Sequence, residues 1–170
     1  MVVLRCTQRL LRRLRVTLAA NDVASSTRLG DWYANLIHVG RRQLVLGVSA
    51  RAFLPIVIEA APIATLAPRL RMAVLDVMMG LGLPRVDIER EEAAMNEVVY
   101  ATTASKQVLG VMNDFAFAVS FHVGDGTLGD ISLRLAKTPI SPLYKHTETS
   151  SPDRATAALF GAQPVLREVH

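Results

Sequence analysis

The residues best suited to bind a ligand are concentrated between positions 32 and 42 of the sequence. Aromatic rings beside guanidinium groups are typical of single-stranded nucleic-acid binding, because rings stack on bases and guanidiniums hold phosphates. The same segment also fits an ordinary hairpin, with the tryptophan in the core and the arginines as turn charges. The candidate residues here are Trp32, Tyr33, Asn35, His38, Arg41 and Arg42.

A second polar group lies on a helix predicted to begin after Ser105. Ser105 and Lys106 open this helix, where free backbone N–H groups are able to hold an anion. Asn113 and Asp114 follow two turns later in an otherwise apolar stretch, which makes Asp114 a candidate base or metal ligand. Together with His38, they would line the cleft of a small hydrolase or an RNA-cleaving toxin. The alternative is a structural pair that bonds a neighbouring loop.

Motifs for cofactors and metals are missing from the sequence. Cys6 is the single cysteine, which excludes an intramolecular disulfide framework and a multi-thiolate metal site. The four histidines show no metal-ligand spacing, and neither a nucleophile elbow nor a phosphate-binding glycine loop is present. We therefore predict no cofactor and no metal. Cys6 precedes a basic helix, which fits either a reactive thiol or a small buried hydrophobe.

Positive charge is concentrated in the first third of the chain. The formal net charge of the 170 residues is +4, but residues 1–51 hold nine arginines against two acidic residues, which gives +7. Such a segment attracts phosphate backbones or an acidic protein. Sixteen arginines against three lysines also fit a compositional bias with solvated side chains. The helix residues that carry the binding hypothesis are Arg9, Arg12 and Arg13.

Hydrophobic periodicity predicts the elements that position these residues. Val2–Leu4 is a short strand, and Thr7 begins an amphipathic helix with leucines inward and arginines outward. Trp32–Val39 and Gln43–Ser49 form an antiparallel hairpin, in which Gly40 permits the tight turn. Both faces of the first hairpin strand are largely apolar, so the pattern leaves open which face is exposed.

The remaining elements are predicted in the same way. Pro55 lacks a backbone donor, which indicates that its strand lies at a sheet edge or carries a bulge. Ile131–Ala136 fits a strand and a helix equally, and Glu91 is interpreted as part of a solvated helix face. The other predicted elements are a strand over Phe53–Ile58, a helix after Thr65, a helix over Arg85–Met95, a strand over Val98–Thr102 and a short helix after Ser151.

These elements predict an α+β fold. The expected domain covers residues 1–160, and a C-terminal tail covers residues 161–170. We expect a mainly antiparallel sheet of about five strands, in the order β-α-β-β-β-α-α-β-α, with the helices packed on one face. The longest run without a charged residue has twelve residues, Ala155–Leu166, so no membrane span is expected. The absence of a secretory signal favours a cytoplasmic prokaryotic protein.

Three stretches resemble a bacterial and archaeal family classed as a domain of unknown function. They are Leu4–Leu11, Thr27–Leu36 and Val108–Phe115. The resemblance covers most of the chain and implies neither an established activity nor catalytic residues. It implies that Met1 is the native start of the domain, against a transit peptide. Because some members have a similar domain beside a plasmid- or transposon-passenger domain, it also implies mobile-element or host-defence biology.

Three functional hypotheses follow. The first is an accessory module that binds nucleic acid or an acidic protein through the arginine-rich helix and the hairpin. The second is the small hydrolase or toxin-like enzyme with His38, Asn113 and Asp114 in one cleft. The third is a structural or homo-oligomeric partner protein without catalysis. Its basis is the composition, which is 51% hydrophobic with only 5% aromatic residues.

Overall fold

A computed structural model describes residues 1–143 and 150–161 of the chain. The predicted tail therefore lies outside the described residues from position 162 onward, as do His146 and His170. The strands are β1 Val2–Cys6, β2 Trp32–Val39, β3 Arg42–Ser49, β4 Pro55–Glu59 and β5 Val98–Thr102. The helices are α1 Gln8–Leu14, α2 Leu66–Gly80, α3 Arg85–Ala94, α4 Lys106–His122, α5 Leu128–Ala136 and α6 Pro152–Leu159, and short 3-10 turns cover Ile63–Thr65 and Ser141–Leu143.

The five strands form one mixed sheet in the order β4-β3-β2-β1-β5. β1 is parallel to both β2 and β5, whereas β2, β3 and β4 are successive antiparallel neighbours. The α+β class and the predicted element order are confirmed, and β4 lies at a sheet edge as Pro55 indicated. Parallel pairing of β1 with two neighbours replaces the mainly antiparallel sheet expected from the sequence.

Helices cover both faces of the sheet, which corrects the expectation of one covered face. One face holds Trp32, Ala34 and Leu36 of β2 in a core with α2 and Leu10 of α1. The other face holds Tyr33 and Ile37 in a core with α4 and α5. Since alternate residues of β2 are apolar on both sides, each side needs its own cover to remove that surface from water.

Three local predictions are decided by turn and cap geometry. Gly40 has φ +60° in a two-residue turn, as the hairpin required. β4 begins at Pro55 rather than at Phe53, because Phe53 adopts a left-handed conformation with φ +55° in the preceding turn. Residues 131–136 belong to a helix, since Thr127 and Asp130 form a reciprocal cap at its start.

Candidate functional site

The arginines of α1 lie on the solvent side of the helix. Leu10 is fully buried, and Leu11 and Leu14 pack against the same core, so the remaining helix surface points outward. The four arginines of this surface are accordingly exposed: Arg9, Arg12, Arg13 and Arg15. Amphipathic spacing therefore presents four guanidinium groups within one short helix and its C-cap.

The hairpin between β2 and β3 extends this basic surface. β2 pairs with β1 only as far as Ala34 and continues to Val39, so the turn projects beyond the end of β1. Arg13 Nη1 donates to Gln43 Oε1 at 3.1 Å, which connects α1 to the start of β3. We call the exposed residues Arg9, Arg12, Arg13, Arg15 and Arg41 the basic surface.

The basic surface is not neutralised by neighbouring acids. Within residues 1–143 and 150–161, the ion pairs involve other arginines, and none includes a residue of the basic surface. Arg42, next to it in the hairpin, does pair with Glu59 of β4. The positive charge of the five arginines is therefore available to an anionic partner.

The two aromatic residues proposed for base stacking are buried. Trp32 is fully buried in the core between the sheet and α2, and Tyr33 is buried on the opposite face beneath α4. Asn35 is half-buried and accepts a hydrogen bond at Oδ1 from the Thr7 hydroxyl at 2.7 Å. Thus the hairpin offers neither ring to a base, because the two cores occupy both faces of β2.

The structure does not bring His38 together with Asn113 and Asp114. His38 shares the strand face of Leu36, whereas α4 packs on the opposite face of the sheet. Asn113 and Asp114 are exposed on the side of α4 that faces away from the sheet. The sheet and the body of a helix separate these groups, so the predicted acid–base cleft is not formed.

Ser105 and Lys106 lie at the end of the sheet where α1 also begins. Because β5 is parallel to β1, the two strands finish at the same end of the sheet. α1 follows β1 and α4 follows β5, so both helices begin at that end. Ser105 Oγ accepts a hydrogen bond from the Val108 N–H at 3.2 Å, so this hydroxyl caps the helix. Lys106 is exposed beside this cap.

A buried ion pair between Arg5 and Asp31 is a feature that sequence reasoning missed. Arg5 Nε donates to Asp31 Oδ2 at 2.6 Å, and its Nη1 donates to the Thr102 carbonyl at 3.1 Å. Nη2 donates to the carbonyls of residues 21 and 23 at 3.0 and 2.9 Å. Burial alone would raise the pKa of Asp31, but hydrogen bonds from Arg5 and Ser25 outweigh it and lower that pKa.

A polar cleft at the opposite end of the sheet was also missed. An open cleft of about 500 Å³ lies between the loop before β2, the turn after β3, α3 and the end of α6. Glu91 of α3 is buried there and accepts the N–H groups of Arg28 and Leu29 at 2.9 and 3.1 Å. This corrects the interpretation of Glu91 as solvated; its position three residues after the buried Ile88 was the available signal.

Burial raises the pKa values of Glu91 and Cys6. Burial raises the pKa of Glu91, and hydrogen bonds from the backbone of Arg28 and Leu29 offset part of that rise. Burial raises the pKa of the Cys6 thiol to about 12, which makes it a small hydrophobe rather than a nucleophile.

No three His, Cys, Asp or Glu side chains within residues 1–143 and 150–161 lie close enough to share a metal ion. None of the helices in the same ranges is both long enough and apolar enough to cross a bilayer.

Comparison with known proteins gives one result. Searches of curated proteins and of solved structures find no match to this chain. A family model does match residues 3–155, which is most of the sequence and extends from β1, without its first residue, through α5 into α6. The chain therefore belongs to the family described as domain of unknown function DUF6933.

Proposed function

We propose that the protein binds nucleic acid through the phosphate backbone, with the basic surface as the contact. The observation that carries the proposal is the convergence of α1 and the hairpin turn, joined by the hydrogen bond from Arg13 to Gln43. Guanidinium groups bind phosphate oxygens in a bidentate manner and remain charged at all physiological pH values. Such a module suits the mobile-element or defence setting that the sequence resemblance implies.

The side chains on this surface favour backbone contacts over base recognition. Trp32 and Tyr33 are buried, so stacking on unpaired bases does not contribute at the hairpin. Phosphate contacts position a protein on nucleic acid without reading its sequence. We therefore expect binding to duplex DNA with little sequence preference and with strong salt dependence.

Replacement of two arginines tests this proposal. In the Arg12→Ala/Arg13→Ala variant we expect at least about a tenfold loss of duplex affinity at low salt, because two phosphate contacts are removed. The slope of log K against log salt concentration should fall by about 2, since each contact contributes about 0.9. Fluorescence anisotropy of a labelled 20-base-pair duplex, measured at four salt concentrations, gives both quantities.

A matched control separates this local effect from net charge. Arg85→Ala/Arg154→Ala removes the same charge from exposed positions on α3 and α6, and it should leave duplex affinity nearly unchanged. Equal losses in the two double variants, or an affinity independent of salt, would contradict the proposal. Polyglutamate that competes as well as duplex DNA at equal charge would assign the surface to an acidic protein instead.

Two other functional hypotheses concern a hydrolase or toxin and a homo-oligomer. The separation of His38 from Asp114 by the sheet removes the arrangement on which the hydrolase or toxin hypothesis depended. Homo-oligomerisation stays a prediction, and the surface relevant to it is the exposed Phe117 and Phe121 pair on α4, with ring centroids 5.0 Å apart.

A further inference from the structure

The polar cleft defined above gathers arginines from three separate elements. Arg28 comes from the loop before β2, Arg51 from the turn after β3, and Arg90 from α3. Within the described ranges, none of the three makes an ion pair with a carboxylate. Glu91 attracts Arg28 and Arg51, but three guanidiniums against the two carboxylates of the cleft leave an excess of positive charge, which favours an anionic occupant.

Two of these guanidinium groups are held in place before any ligand arrives. The Arg28 guanidinium carbon lies 5.8 Å from the centroid of the Phe160 ring, within the range of a cation–π contact. Arg51 Nη1 donates to the Arg28 carbonyl at 3.3 Å, and its side chain packs against Gly30. Preorganised donors lose less entropy on binding than free side chains do.

The two carboxylates of the cleft have different roles. Glu91 is directed at the loop backbone, where both its oxygens accept N–H groups, so it holds the loop in position. Asp87 is only 9% exposed and lines the cavity, yet its carboxylate accepts no hydrogen bond from the described residues. Because neither carboxylate oxygen of Asp87 is among the fully buried atoms without a partner, the carboxylate is open to the cleft and is available as an acceptor for a ligand.

We propose that this cleft binds a small phosphate monoester that also carries hydrogen-bond donors, such as a nucleoside monophosphate or a sugar phosphate. The arginines bind the phosphate, and Asp87 accepts from an amino or hydroxyl group of the same molecule. An anionic phosphate group suits the cleft because three guanidiniums outnumber its two carboxylates. The volume of about 500 Å³ is within the usual range for a small-molecule site.

Calorimetric titration tests the site with four probes: inorganic phosphate, sulfate, adenosine monophosphate and ribose 5-phosphate. At least one monoester should bind about tenfold more tightly than inorganic phosphate. The better monoester then shows whether a base or a sugar supplies the donor. If neither monoester binds more tightly than phosphate and sulfate, the proposal is overturned.

Arg90→Gln is the main variant, because the Arg90 side chain is exposed and makes no hydrogen bond or ion pair with other described residues. It should fold normally and weaken the monoester by about tenfold or more. Arg85→Gln, on the same helix but outside the cleft, is the matched control and should leave affinity unchanged. Equal affinities in the wild type and the Arg90→Gln variant would overturn the assignment of the site.

Asp87→Asn distinguishes a built site from simple attraction of anions. Loss of the carboxylate removes repulsion, so inorganic phosphate should bind as well as before or more tightly. The monoester should bind about tenfold more weakly, because the amide offers a poorer acceptor to its donor. A parallel gain for both probes would show that Asp87 contacts no ligand donor and would contradict the proposal.

Discussion

Arg5 is a charged side chain on an otherwise apolar strand, and hydrogen bonds compensate for its burial. Its guanidinium donates to one carboxylate and three carbonyls, which connect β1 to the end of β5 and to the loop before β2. A buried charge is tolerated only when such partners are present. The Arg5–Asp31 pair therefore positions the loop that leads into the polar cleft.

Asp31→Asn tests the contribution of this pair to stability and its dependence on pH. The folded-state pKa of Asp31 is lowered, so its stabilising effect is complete above the unfolded value of about 3.9. That effect is lost as the pH falls through the folded-state pKa. We expect the variant to lose about 1.5–3 kcal/mol at pH 7, because charge-assisted hydrogen bonds weaken.

Urea unfolding between pH 7 and pH 2 measures this difference. The free energies of the variant and the wild type should converge at the acid end, where Asp31 is protonated in both folded and unfolded protein. Asp22→Asn, an exposed position in the same loop, should change stability by less than about 0.5 kcal/mol. A difference between wild type and Asp31→Asn that stays constant across the pH range would contradict this account.

At the scale of the elements, the close contact between β3 and its neighbours depends on Gly47. A Cβ atom at this position would lie 2.8 Å from Ile56 Cγ1 and 3.6 Å from the Trp32 ring. Gly47 pairs with Ala34 on one side and with Ile56 on the other. Small residues in the centre of the sheet thus leave room for the buried indole, which explains how β2 accommodates a tryptophan.

Gly47→Ala is expected to destabilise the fold by about 1–3 kcal/mol, because the added methyl group overpacks this contact. The emission of Trp32 should be blue-shifted in the wild type and shift towards red in the variant. Urea unfolding followed by that emission gives both readings. Gly110→Ala is the control: no atom lies within 4 Å of its Cβ position on α4, so stability should be unchanged or raised by about 0.5–1 kcal/mol. Equal effects of the two substitutions would show that packing at Gly47 is not the cause.

At the scale of the whole molecule, the basic surface and the polar cleft lie at opposite ends of the sheet. The hairpin turn follows Val39, whereas the cleft is near the pairing of Trp32 with Ser49 at the other end of the same two strands. The seven residue steps from Trp32 to Val39 span roughly 23 Å at about 3.3 Å per step. This distance exceeds the Debye length of about 8 Å at physiological ionic strength, so charges at the two ends are screened from each other.

The two proposed activities should therefore be independent. Arg12→Ala/Arg13→Ala is expected to change the affinity for adenosine monophosphate by less than about twofold at 0.15 M salt, which calorimetry measures. Arg90→Gln should change duplex affinity just as little in the anisotropy assay. A loss of both affinities in either variant would show that one surface binds both ligands. If the protein binds only duplex DNA or only the monoester, the proposal for the other ligand alone is contradicted.

The sequence by itself determined the features that depend on neighbouring residues. Hydrophobic period and backbone preference determine the α+β class and the order of the strands and helices along the chain. They also determine the inward leucines of α1 and the turn at Gly40. The family resemblance was likewise carried by short local stretches and agrees with the family match over residues 3–155. These patterns act within a few turns or strand residues, so no long-range contact is needed to recognise them.

Only the tertiary structure decided which of these residues meet. Trp32 is buried because helices cover both faces of β2, and His38 is separated from Asp114 because the two lie on opposite sides of that sheet. The polar cleft depends on a contact between Glu91 and Arg28, which are 63 residues apart in the chain. A burial pattern shows that a side chain faces inward but not which distant segment it contacts. The partners of Arg5 and Glu91 were therefore beyond sequence reasoning.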